Sequence, residues 1–302
     1  MNIVEKAAEK LKTLQPERQL PPAEGAVPQR ATHSVERLQE RIRMADQPVE
    51  PAPAWHVDER ALQRAGLLPL EDGAGGRLAD EVRRVKRPLL NNASGKGDKA
   101  LPHSHRIVVT SAVPGEGKTF TAVNLALSLA REPDFEVLLV DADIPKADIT
   151  KVLGLAGRPG LMEVLADEHR RPTDVIVHTD VPNLSVIPTG EQHPLTSELF
   201  GGRRMEYVLE ELGGQNRRRL LVFDSSPLLA TPEAPVLAAY MGQVLVVVGA
   251  GRTSQHEVAQ ALEGLGESQY IGLVLNMSRL PAIENHYYSH YSHYSHYQFQ
   301  DR

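Results

Sequence analysis

Arg106-Ile-Val-Val-Thr110, Ser111-Ala-Val-Pro-Gly-Glu-Gly-Lys-Thr119 and then Phe120 to Arg131, in which apolar residues recur at helical spacing, form the passage on which the fold turns. An aliphatic strand, a glycine-rich loop and a helix in that order leave backbone N–H groups at a helix N-terminus facing one concavity, which suits a polyphosphate. Pro114, Gly115, Glu116 and Gly117 form the curl of the loop, with Gly115 and Gly117 supplying the backbone freedom. Lys118 is placed to reach the outer phosphates, the Thr119 hydroxyl to ligate magnesium, and Phe120 begins the helix. The usual pattern G-x-x-x-x-G-K-[ST] has its first glycine replaced by Ala112. The flanking strand and helix restore the reading against that of a turn without a ligand.

Working outward, Glu136 to Val140, Leu184 to Pro188, Leu220 to Phe223, Gln243 to Val248 and Ile271 to Leu275 are further short aliphatic runs, most of them separated by helical patterns. Near-continuous apolar strands alternating with helices imply a parallel sheet covered on both faces and joined by right-handed crossovers. The expected fold is α/β, a doubly wound, mostly parallel sheet whose ligands bind beyond the carboxyl ends of the strands. Two of those strand ends are acidic, Val137-Leu-Leu-Val-Asp141-Ala-Asp143 and Leu220-Leu-Val-Phe-Asp224-Ser-Ser-Pro227. With the loop they complete an ATP site in which Thr119 ligates Mg2+ together with one or two of these carboxylates, Asp143 and Asp224 being the candidates. Asp141 and Asp143 are candidates for accepting the proton of an attacking group. The bland alternative for either strand-end aspartate is that it caps the next helix.

Composition narrows the rest. The chain has 302 residues, 41% hydrophobic, enough for a sizeable core, and a net charge of −6 that offers no global field for nucleic acid. No cysteine occurs, which excludes disulfides, thiolate metal sites and cysteine nucleophiles. Glu5, Lys6, Glu9 and Lys10 occupy the place where a signal peptide needs an apolar run. The longest apolar stretch, Val236 to Gly251, is interrupted by Gln243 and is too short to span a bilayer. A cytoplasmic protein is expected, reaching the inner membrane only peripherally and through a partner.

Residues 1–76 read as a partly disordered helical and linker region, residues 77–285 as the nucleotide-binding domain, and residues 286–302 as a flexible tail. In the first region Val4, Ala7, Ala8, Leu11 and Leu14 form one apolar stripe and Val35, Leu38 and Ile42 another, tethered by proline-rich stretches. Each stripe either docks on a partner or packs on the chain's own core. A stronger helix pattern from Arg77 to Leu90 puts Glu81, Arg84 and Arg87 on one side. The tail repeats tyrosine, serine and histidine from His286 to Tyr297 and holds five of the eight tyrosines with almost no aliphatic residues, so it cannot build a core.

The Pro-Gly-Glu-Gly-Lys-Thr core of Ser111 to Thr119, the Asp141-x-Asp143 pair and the Asp224-Ser-Ser-Pro element resemble the Walker A, A′ and B motifs of the bacterial tyrosine kinases. Glu81-x-x-Arg84-x-x-Arg87 resembles the family's ring-forming motif, and Pro194-Leu-Thr-Ser-Glu-Leu199 and the tyrosine tail add further matches across roughly residues 77–302. The resemblance implies Mg2+-ATP-dependent autophosphorylation in trans on Tyr287, Tyr288, Tyr291, Tyr294 and Tyr297, within a homo-oligomeric ring held by Glu81, Arg84 and Arg87. It also implies Lys118 on the phosphates, Asn276 as an adenine contact, and control of exopolysaccharide assembly. The implied partners are a membrane-embedded polysaccharide chain-length (co-polymerase) protein and a cognate phosphotyrosine phosphatase. The segment Ala79 to Leu90 looks most like the stand-alone subgroup associated with exosortase and exopolysaccharide loci. One departure stands out: the family's arginine shortly after Asp-x-Asp is replaced here by Ile144-Pro145-Lys146, and a lysine offers phosphate a point charge where arginine offers a planar fork.

Two other readings remain at this point. A partitioning or division-site ATPase shares the superfamily, but such proteins carry a lysine where this chain has Val113, and they lack the tyrosine tail. A noncatalytic scaffold binding a transition metal through His286, His290, His293 and His296 accounts for the histidines and leaves the nucleotide motifs without a role.

Overall fold

The computed structural model describes residues 54–68, 75–96, 101–213, 218–266 and 269–278. The apolar stripes of residues 1–53, the histidine cluster and the whole tyrosine tail lie outside the described residues. Seven strands form one sheet in the order β3-β4-β2-β5-β1-β6-β7. They are β1 (Arg106–Ser111), β2 (Glu136–Ala142), β3 (Val177–His178), β4 (Leu184–Ile187), β5 (Arg219–Ser225), β6 (Gln243–Gly249) and β7 (Tyr270–Asn276). All neighbours run parallel except β3 and β4. The six expected strands are all present and paired as a doubly wound sheet. The two-residue β3 was not expected, being too short to carry an alternation signal.

Because side chains alternate along a strand, the buried run of β1 feeds both faces. Val108 joins one cluster with Leu138, Val140, Phe223 and Val246, while Ile107 and Val109 join the other with Val137, Leu139 and Val222. The first face is covered by α5 (Leu161–Ala166), α6 (Thr196–Phe200), α7 (Arg203–Gly213), α8 (Glu233–Ala239) and α9 (Gln255–Glu263). The second carries α1 (Glu59–Arg64), α2 (Gly75–Ala93), α3 (Lys118–Ala130) and α4 (Asp148–Val152). Gln243, the polar break in the longest apolar run, is fully buried at the start of β6. Its amide donates to Leu89 O (3.1 Å) and Ser104 O (2.5 Å) and accepts from Asn92 Nδ2 (2.9 Å), tying the end of α2 to the sheet.

The compact unit starts earlier than the expected boundary at residue 77. It begins at Pro53. Trp55 makes a parallel bridge to Thr179, its indole donates to Leu153 O (2.8 Å), and Arg158 stacks over its ring at 4.9 Å. Val57, Leu62 and Leu67 are buried in the second core cluster. The composition of residues 54–68 gives no hint of this, since three buried apolar side chains among polar neighbours are sufficient once a sheet edge is available to receive them.

Helix α2 is longer than its expected span of residues 77–90, and continues through Pro88 to Ala93. Lys86 fastens it to α3 by donating to Ser128 O (2.9 Å) and pairing with Glu132 (2.6 Å). Glu81, Arg84 and Arg87 are exposed on the same helix.

Candidate nucleotide site

The phosphate loop leaves the carboxyl end of β1 and enters α3 at Lys118, the arrangement expected from the sequence. Ala112 stands where the usual pattern has its first glycine, is fully buried and has no positive φ, so no glycine is required there. Gly117 is different. Its φ of 93° is the left-handed conformation, and a Cβ at that position would collide with the side-chain amide of Asn276.

Lys118, Asp143 and Asp224 converge at the end of the loop, all nearly or wholly buried. The Lys118 ammonium forms an ion pair with Asp143 Oδ2 and lies 3.3 Å from Thr119 Oγ1. Asp143 Oδ1 accepts from Ser226 Oγ (2.9 Å) in the Asp-Ser-Ser-Pro turn. The lysine expected on the outer phosphates is turned toward a carboxylate. Burial alone would lower the Lys118 pKa; the charges of Asp224 and Asp143 outweigh it and hold the ammonium above its ordinary value.

Asp141 does two things. Its Oδ2 accepts from Thr150 N (2.8 Å) and Thr150 Oγ1 (2.7 Å), and the Thr150 hydroxyl in turn accepts from Thr189 N (3.0 Å). The helix-capping reading of this strand-end acid is therefore correct for one oxygen, which holds the N-terminus of α4 to β2. The other oxygen, Asp141 Oδ1, is buried without a partner, as are both oxygens of Asp224. Burial pushes the Asp141 carboxyl up to about 6 against the two Thr150 hydrogen bonds, and pushes Asp224 up to about 8 against the attraction of Lys118.

Orphaned, buried carboxylate oxygens beside a hydroxyl are a donor set that fits a hard cation. Thr119, Asp143 and Asp224 are the residues that would hold Mg2+. Among the described residues no three acidic or histidine side chains gather into a cage.

A cavity of about 410 Å3 opens against the loop, lined by Gly115, Gly117, Lys118 and Thr119. Phe120, Asn276, Met277, Lys146 and Asp148 line it as well. Lys146 is thus in the site, in the turn that follows Asp143. Asn276 lines the same cavity, but its amide nitrogen donates to Glu116 O (2.8 Å) and clamps the loop. The Glu116 side chain is turned into the protein, away from the ligand space.

Asp148, Ser226, Thr150, Gly66 and Leu67 belong to the site and were not singled out from sequence. Ser226 was within a quoted motif, whereas Gly66 and Leu67 gave no signal. They reach the cavity because Asn124, in the second turn of α3, donates to Leu67 O (2.9 Å). Tyr287, Tyr288, Tyr291, Tyr294 and Tyr297 lie outside the described residues.

The acids make a pH prediction with a definite sign. Between about pH 4 and pH 8 the folded chain keeps on Asp224 a proton that the unfolded chain has released, because the folded value is raised to about 8. Stability contributed by that proton is complete at low pH and is lost as pH rises, at about 1.4 kcal/mol per unit of difference. The melting temperature of the nucleotide-free protein in EDTA should therefore fall from pH 5 to pH 8. Asp224→Asn should flatten that fall, and an unchanged slope in the variant would contradict the assignment.

A family model described as an AAA domain matches residues 104–269, more than half of the chain. The tyrosine-protein kinase YwqD of Bacillus subtilis is 30% identical over 176 residues, covering 58% of this chain and 73% of that protein. The succinoglycan biosynthesis transport protein ExoP of Rhizobium meliloti is 31% identical over 206 residues, 66% of this chain. The chain spans only 26% of ExoP, and 26% of the tyrosine-protein kinase ptk of Acinetobacter johnsonii. Among solved structures, the kinase domain of the Escherichia coli tyrosine kinase ETK superposes with a TM-score of 0.53 at 30% identity, covering 59% of this chain and 69% of that one. With this likeness over most of the length of YwqD and the family model over more than half of the chain, the chain belongs to the bacterial tyrosine-protein kinase family, built on an AAA-type nucleotide-binding domain.

Proposed function

We propose that this chain is an ATP-dependent protein-tyrosine autokinase that phosphorylates its own C-terminal tyrosines in trans. The observation that carries the reading is the group of buried acids around a single ammonium, at the mouth of a phosphate loop and beside a cavity of about 410 Å3. Bound Mg2+ would supply positive charge to the phosphates and to the orphaned oxygens of Asp224. The loop amides and Lys118 bind and orient the triphosphate, Lys118 leaving Asp143 to do so. Asp143, freed from that pair, and the unpartnered oxygen of Asp141 are the acceptors for the tyrosine proton. The tyrosine Oη forms a bond to the γ-phosphorus, the bond to the β–γ bridging oxygen breaks with its electron pair going to ADP, and the phenolic proton passes to a carboxylate.

The same reading includes a homo-oligomeric ring formed through Glu81, Arg84 and Arg87, and an output in exopolysaccharide synthesis or export. Support for the output comes from relatives such as ExoP, whose name places it in succinoglycan biosynthesis transport. Among the described residues no helix is long and apolar enough to cross a membrane. Attachment is proposed to go through a membrane-embedded co-polymerase, with a phosphotyrosine phosphatase resetting the tail.

The test separates binding from chemistry. Alanine at Asp143 or Asp141 should reduce phosphotyrosine formation by about 10²-fold or more while changing the affinity for ADP in EDTA only a few-fold, since each acid is asked to act on the transferring proton and metal binding is left out of the affinity reading. Losses of ADP affinity as large as the losses of turnover would refute this division of labour.

A further inference from the structure

A carboxylate in the middle of an anion-binding loop is an electrostatic contradiction. A like charge about 4 Å from a phosphate costs on the order of 4 kcal/mol even at an effective dielectric constant of 20. Glu116 occupies that position and is only 2% exposed. The structure resolves the contradiction by geometry. Glu116 Oε2 accepts from Val113 N (2.8 Å), closing the turn at the start of the loop. Its Oε1 accepts from Gly249 N (2.9 Å) at the end of β6, and also from Thr253 Oγ1 in the turn before α9. Three donors surround the carboxylate, so its charge faces away from the ligand space. The Glu116 carbonyl is held separately by Asn276 Nδ2 (2.8 Å) on β7.

These bonds link three strand ends. The phosphate loop after β1 is fastened through one side chain to the end of β6 and through one carbonyl to β7. Gly117, with its φ of 93°, follows the fastened residue directly. The orientation of the amides from Gly117 into α3 is thus set by where Glu116 is held.

We propose that Glu116 is a positioning residue, a strut that keeps the phosphate loop in its phosphate-binding curvature and couples it to the Gly249–Thr253 turn. The proposal rests on reading Ser111–Thr119 as a nucleotide phosphate loop. It makes a prediction of opposite sign to the simple electrostatic one. If Glu116 acted as a nearby negative charge, Glu116→Gln would tighten nucleotide binding. As a strut its neutral isostere cannot satisfy all three donors, because one oxygen becomes an NH2 group that has nothing to accept from it at Val113 N or Gly249 N.

Fluorescent ADP binding to the full chain gives the test, with thermal melting as the control for folding. Glu116→Gln should weaken binding by about tenfold. Thr253→Val, which removes one donor outside the cavity lining and leaves the loop sequence intact, should weaken it by about three- to tenfold, the worth of one hydrogen bond. Thr253→Ser, which keeps the hydroxyl, should restore wild-type affinity. The double variant should be hardly worse than Glu116→Gln alone, since both substitutions break one connection. Tighter binding by Glu116→Gln, wild-type affinity in Thr253→Val, or fully additive losses would each overturn the strut. Should Glu116→Gln fail to fold, the Thr253→Val and Thr253→Ser pair decides the matter alone. A wild-type chain that binds no nucleotide would overturn the phosphate-loop reading and the strut with it, and is distinguishable from all the other outcomes.

Discussion

Replacing Lys118 with methionine is expected to abolish autophosphorylation, with phosphotyrosine falling by about 10³-fold or more. Methionine matches the length of the lysine stem but carries no charge to set against that developing on the transferring phosphoryl group, and single electrostatic contacts of this kind are worth about 10²- to 10³-fold. The structure adds a second cost. Lys118 is the ammonium paired with buried Asp143, and its charge is what opposes the upward push on Asp224. Breaking a buried pair by removing one partner typically costs about 3–5 kcal/mol, lessened when the abandoned acid takes up a proton. The variant should therefore fold, melt at a lower temperature than wild type, and recover part of the difference at acidic pH. A variant with near wild-type phosphotyrosine would remove Lys118 from the mechanism.

Changing Tyr287, Tyr288, Tyr291, Tyr294 and Tyr297 together to phenylalanine is expected to erase the tail's phosphotyrosine and leave the oligomer assembled in Mg2+-ATP. Each phosphotyrosine adds about −1.5 to −2 at neutral pH, so complete modification adds about −8 to −10 per subunit. That exceeds the chain's own net charge of −6. Placed beside Asp141, Asp143 and the ATP phosphates of a neighbouring subunit, this charge should expel the tail and weaken a ring closed through Glu81, Arg84 and Arg87. Light scattering should show the wild type shifting from oligomer toward monomer as phosphotyrosine accumulates. If the five-phenylalanine variant dissociates identically, the tail is not the switch.

The parallel sheet was legible in the sequence because each of its central strands is buried on both faces and so reads as a continuous aliphatic run. The strand β3 was not legible, since two residues carry no period. At the site, Lys118, Thr119, Asp141, Asp143 and Asp224 were found by motif, and the structure brings all five to one end of the sheet. What the motif did not contain is the direction in which each side chain turns. Glu116 turns inward because of donors at Gly249 and Thr253, more than 130 residues away, and the local pattern does not encode them. Asp141 is shared between capping and the site because Thr150 lies in the first turn of the next helix. Leu67 enters the cavity wall through a backbone contact to Asn124 that depends only on a carbonyl, which every residue possesses.

The most direct measurement is phosphotyrosine mapping on the purified full chain. Incubated with Mg2+-ATP, wild type should acquire phosphate on tyrosines between Tyr287 and Tyr297, at a rate per molecule that rises with protein concentration because transfer is between subunits. The same sample in EDTA should acquire none. ATP hydrolysis with no phosphate on any tyrosine of the chain would contradict the account, and would leave a nucleotide-binding protein of this fold with a different task.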